Sequence, residues 1–90
     1  MEIKPEDSLI EYPCNFPIKV MGKTHPDFAE TLTAVVQEHA PDFDASTVEI
    51  RPSGKGNYTG LTFHIWATSR EQLDAIYQAV HGHPMVSMVL

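Results

Sequence analysis

From Leu61 to Ala67 the chain alternates without a slip. Leu61, Phe63, Ile65 and Ala67 take one side, and Thr62, His64 and Trp66 the other. A period of two over this length is a β-strand with one face on a core and the other on water, because successive side chains of a strand point to opposite faces. Such a strand needs partner strands to pair its backbone and a layer to cover its apolar side. The remaining periodicities therefore read as the other parts of one sheet and its cover.

Phe16 to Gly22 alternates in the same way, with Phe16, Ile18 and Val20 facing one side and Lys19 and Met21 the other. Val48 and Ile50 alternate with Thr47, Glu49 and Arg51, and Pro52 places that strand at a sheet edge. Ser53-Gly54-Lys55-Gly56-Asn57 is a turn cluster joining it to the Leu61 strand, its glycines suited to positive φ. Met85 to Leu90 reads as a last strand. Two stretches carry the helical period instead. Phe28, Leu32, Val35, Val36 and His39 form one stripe, with Thr24 as cap, Pro26 in the first turn and Pro41 as terminator, which predicts a helix over about 25–40. Ser69 with Gln72 makes a capping box ahead of the stripe Leu73, Ile76, Tyr77 and Val80, and Gly82 stops a helix over 69–81.

The order is β-α-β-β-α-β. It predicts an α+β, ferredoxin-like sandwich: a four-stranded antiparallel sheet of order 4-1-3-2, two helices on one face, and the other face open. The expected core is Phe16, Ile18, Val20, Phe28, Leu32, Val36, Val48, Ile50, Leu61, Phe63, Ile65, Leu73, Ile76 and Val80. Ninety residues make a single domain, 1–90. Its first 11 residues, with Glu2, Glu6, Asp7 and Glu11, read as a loosely ordered lead that tucks Leu9 or Ile10 onto the body.

Charge narrows the functions. A net charge of −6 with six Lys and Arg disfavours nucleic acid, whose phosphates call for a basic face. No apolar run approaches the roughly 20 residues needed to cross a bilayer, and the acidic N-terminus has no secretory apolar region. One cysteine closes no internal disulfide. A cytoplasmic protein without a membrane segment is expected.

With the elements in place, the chain resembles the YbeD-like family of small bacterial proteins. The motifs that carry this are Lys19-Val20-Met21-Gly22, Val35-Val36-Gln37 with His39-Ala40-Pro41, and Ser53 with Lys55-Gly56-Asn57-Tyr58. Ala67-Thr68, Glu71-Gln72, Tyr77 and Met88-Val89-Leu90 follow. The match runs from about residue 9 onward, and Cys14 and Trp66 lie outside it. The resemblance implies a fold like that of ACT-type regulatory domains, and with it a ligand-sensing role.

Cys14 lacks a base with a recognisable signature and reads as a small half-buried hydrophobe beside Pro13. The five histidines, His81 and His83 among them, lack carboxylate or thiol partners at metal-ligand spacing. Ser53–Asn57 joins two strands and so is no phosphate-binding loop, although Lys55 at its tip can meet an acidic partner. Gly22, Lys23, Thr24 and His25 lie between a strand and a helix start, where free amides favour an anion. ACT-type domains place their ligands near this turn. The open face should carry Lys19, Met21, Arg51, Thr62, His64 and Trp66, with Trp66 near Met21, as a surface for a protein partner or a second copy. The reading is a non-enzymatic, cofactor-free regulatory module that binds a small metabolite or a protein partner. A pure protein-interaction adaptor is the first alternative and an RNA-binding module the second.

Overall fold

In the computed structural model, which describes residues 11–90, two ten-residue strands form the centre of the sheet. β1 (Cys14–Lys23) and β3 (Tyr58–Ala67) pair antiparallel throughout, from Cys14 opposite Ala67 to Lys23 opposite Tyr58. β2 (Glu49–Ser53) pairs antiparallel with the far side of β3, and β4 (Met88–Val89) with the far side of β1. The order β2-β3-β1-β4 is the expected one read from the other edge. The connection between β2 and β3 turns through Gly54 (φ 53°) and Gly56 (φ 84°), the left-handed region that glycine enters without steric cost.

α1 (Phe28–His39) and α2 (Arg70–His81) pack against each other over one face. Phe28, Leu32 and Val36 from α1 meet Leu73, Ile76 and Val80 from α2 above Ile18, Val20, Leu61, Phe63 and Ile65 of the sheet. Each fully buried side chain of this kind contributes about 1.5–3 kcal/mol relative to exposure. Ser69 caps α2, its hydroxyl accepting from the Gln72 amide at 3.1 Å. The Gln72 side chain accepts from the Thr68 amide (2.7 Å) and donates to the His39 carbonyl (3.0 Å), fastening the start of α2 to the end of α1.

Four details depart from the expected pattern. Ile50 is 59% exposed, because β2 stands beyond the reach of both helices even though its side chain points to their side of the sheet, opposite Leu61. Phe16 and Val48 are half-buried at the core margin, whereas Ala40, Phe43 and Ala67 join the core, Phe43 stacking edge-on against Phe63 at 5.8 Å. α1 starts at Phe28 rather than near residue 25, and Thr24 does not cap it: its hydroxyl is bonded to that of Thr59 at 2.8 Å. β4 is two residues long, although backbone bonds from Ser87 to Met21 (2.8 Å) and from Leu90 to Lys19 (2.7 Å) continue its docking on β1. The expectation for residues 1–10 lies outside the described residues.

Candidate functional site

The pleat sends odd-numbered residues of β1 and even-numbered residues of β3 to the uncovered face, and the register aligns them in rows. One row runs Arg51, Gly60, Met21, Met88 across the four strands. The next runs Glu49, Thr62, Lys19, with Leu90 paired to Lys19 by two backbone bonds. Gly60 has no side chain between Met21 and Arg51, so the middle of the first row is a hollow. A concavity of about 840 Å³ opens there, lined among others by Pro17, Lys19, Met21, Arg51, His64 and Leu90. A Cβ placed on Gly60 would meet nothing closer than the Arg51 carbonyl at 3.6 Å, an ordinary contact, so the hollow is not forced by backbone crowding.

The electrostatics of this face differ from those of the rest of the molecule. Lys19, Lys23 and Arg51 project from it, and Lys55 stands on the adjoining hairpin turn. Glu49 is its carboxylate, bonded to His64 Nε2 at 2.5 Å. That hydrogen bond, and then the fields of His64, Arg51 and Lys19, hold the Glu49 carboxyl below its ordinary range. On the opposite side, Glu30, Glu38, Glu71 and Asp74 stand exposed on the helices. The sheet face is thus basic while the helical layer is acidic.

Trp66 is 62% exposed on the same face but belongs to its other end. It stands opposite Asn15, whereas Met21 stands opposite Gly60; these positions are about 20 Å apart along the strand. The expected Trp66–Met21 contact does not form. Trp66 instead borders a second concavity of about 410 Å³, shared with Asp42, Phe43, Asp44 and Gln72. His64 lines both.

Gly22, Lys23, Thr24 and His25 are adjacent as expected, but the backbone there is largely engaged. The Thr24 amide donates to the Asn57 carbonyl (3.0 Å), the Asp27 amide to His25 Nδ1 (3.0 Å) and the Phe28 amide to the His25 carbonyl (3.1 Å). Gly22 is buried, and a Cβ on it would overlap the Met85 carbonyl oxygen and the Phe28 ring. Neither concavity is lined by any of these four residues. Cys14 is half-buried against the core on the helix side of the sheet. Among the described residues no group of three or more His, Cys, Asp or Glu is arranged to hold a metal ion, and no helix is long and apolar enough to cross a membrane.

Sequence reasoning placed Lys19, Met21, Arg51, Thr62 and His64 on this face. It missed Gly60, whose signal was available: a glycine inside a strand marks a weakened or closely approached position.

The molecule is a ferredoxin-like α+β domain with a basic, hollowed sheet face. The chain belongs to the family described as "Protein of unknown function (DUF493)", whose model matches residues 7–90, and it is one of the YbeD-like proteins. It is 68% identical over 88 residues to a UPF0250 protein of Bordetella pertussis, covering 98% of this chain and 97% of that one. A UPF0250 protein of Paraburkholderia phytofirmans is 63% identical over 84 residues, covering 93% and 94%. Among solved structures, that of protein HP0495 from H. pylori superposes with a TM-score of 0.73 at 18% identity, over 100% of this chain and 98% of that one, a likeness of fold.

Proposed function

We propose that this protein is a non-enzymatic regulatory module that engages a protein partner through its uncovered sheet face. The supporting observation is where the apolar surface lies. Tyr58, Trp66, Met88 and Leu90 are exposed and belong to this face. A small domain that leaves large side chains in water on one face, around a hollow and among polar groups, presents the apolar centre and polar rim of an interface. Ligand sensing at the Gly22–His25 turn, as in ACT-type domains, draws less support, because neither concavity is lined by these residues and the Thr24, Asp27 and Phe28 amides already serve the chain.

The test fills the hollow. Gly60→Val places a branched side chain, favoured in strands, between Met21 and Arg51 without entering the core. Proteins retained from bacterial lysate by the wild type should be lost with Gly60→Val at unchanged unfolding temperature, and kept with Glu71→Gln on the helical layer. Retention by all three would remove the sheet face as the binding surface.

A further inference from the structure

We infer that the partner docks an acidic polypeptide segment, carboxylates interspersed with apolar side chains, over the Gly60 hollow between Lys19 and Arg51. This rests on the reading of the sheet face as the binding surface and names what that surface selects. The argument is the separation of charge. In a chain of net charge −6, Lys19, Lys23 and Arg51 gather on the one face the helices leave open, while Glu30, Glu38, Glu71 and Asp74 stand exposed on the helices and Asp42 and Asp44 on the loop that borders the Trp66 end. A local concentration of cations at the Gly60 end of the sheet attracts an approaching acidic partner to that end and raises its rate of encounter.

The hollow sets the apolar part of the specification. Met21, Met88 and Leu90 lie beside Lys19, so an occupant must bury apolar groups while meeting the ammonium and guanidinium at the sides. Glu49 is hydrogen-bonded to His64, and the positive charge of Lys19, Arg51 and Lys23 on this face exceeds the single Glu49 carboxylate, leaving a surplus for the occupant's carboxylates. Two other anionic or acidic occupants fit less well. Single-stranded RNA calls for aromatic stacking on both central strands, and β1 offers Pro17, Lys19 and Met21 to this face. The acidic helices of a second copy would match the charge, but sheet against helix is a head-to-tail contact that need not close, between bodies that repel at long range.

Selection from a library of short random peptides on the immobilised full chain tests this without knowing the natural partner. Enriched sequences should be rich in Asp and Glu alternating with Leu, Ile or Phe. Added as synthetic peptides to the 15N-labelled chain, they should shift the amide signals of Lys19, Arg51 and Thr62 first. Lys19→Glu with Arg51→Glu should weaken binding at least about tenfold, and high salt should weaken it several-fold. Lys19→Gln with Arg51→Gln should show a smaller loss in the same direction, and serves if the reversed variant does not fold. Enrichment of neutral or basic peptides that still bind the hollow would overturn the acidic assignment and leave the sheet face standing. Enrichment of nothing, or shifts confined to the helices, would overturn both. Tighter binding of a single-stranded RNA oligonucleotide than of the best peptide would give the face to nucleic acid. Open-ended self-association abolished by the Gln pair would give it to a second copy. Either result refutes the inference.

Discussion

Gly22→Ala isolates what the turn after β1 is for. Gly22 points into the helix side of the sheet, and an added Cβ would overlap the Met85 carbonyl oxygen and come within 2.8 and 2.9 Å of two Phe28 ring carbons. The obstruction is partly backbone, so it cannot swing aside as the end of a flexible side chain would. Either the turn through Met85 or the first residue of α1 has to retreat. Overpacking of this kind costs about 1–3 kcal/mol, and the backbone contact puts it at the upper end. Alanine in a strand recovers about 0.5–1 kcal/mol over glycine, which leaves a net loss of about 2 kcal/mol. For a domain of this size that lowers Tm by about 8–16 °C. Gly60→Ala is the matched control, because its Cβ meets only ordinary contact and should leave stability equal or slightly higher. Urea unfolding followed by circular dichroism measures both, read as a change of midpoint at unchanged m-value. If Gly22→Ala unfolds within about 0.5 kcal/mol of the wild type, Gly22 is not held by packing. Its place beside the helix start would then need another explanation, ligand approach included.

Two further outcomes follow from the side-chain network. Gln72→Ala removes an acceptor for the Thr68 amide and a donor to the His39 carbonyl at once, and should cost about 1–2 kcal/mol in urea unfolding; an effect below about 0.5 kcal/mol would show that the two helix ends are not fastened there. Glu49 has a depressed carboxyl pKa, chiefly through its hydrogen bond to His64, so its contribution is present above the unfolded value and lost as pH falls through the folded one. The stability difference between wild type and Glu49→Gln should therefore shrink between about pH 6 and about pH 3, and a difference that is constant over that range would contradict the pairing.

Most of the fold was legible because periodicity carries it. Leu61, Phe63, Ile65 and Ala67 alternate, and Phe28, Leu32 and Val36 follow the helical repeat, so their faces can be read locally. What was illegible depends on relations between distant segments. Ile50 alternates as a core residue does, yet nothing near it in the sequence tells that the helices stop short of β2. Phe43 sits alone in a loop without a period and is drawn inward by Phe63, twenty residues on. Thr24 has the form of a helix cap but is hydrogen-bonded to Thr59, and the helix begins at Phe28 with Asp27 as its N-cap. The site was half legible. Its residues could be assigned to a face, but Trp66 and Met21 could not be spaced along it, because the register of β1 on β3 is set by strands remote in the chain. Gly60 was visible as a glycine inside a strand, but the hollow's breadth was not, because its flanking side chains come from other strands.

The unequal strand lengths have a consequence for how this sheet can meet other molecules. Among the described residues, β1 is paired on its outer side only near Lys19, Val20 and Met21, so its first half is itself a margin among them, and Pro17 occupies that margin. On the opposite margin β2 carries Pro52. Proline has no amide hydrogen, so each exposed border is interrupted as a template for an added strand. Among the described residues, a visiting chain finds no long uninterrupted border to extend. Strand addition at these margins is disfavoured, which also works against fibril-like stacking of copies.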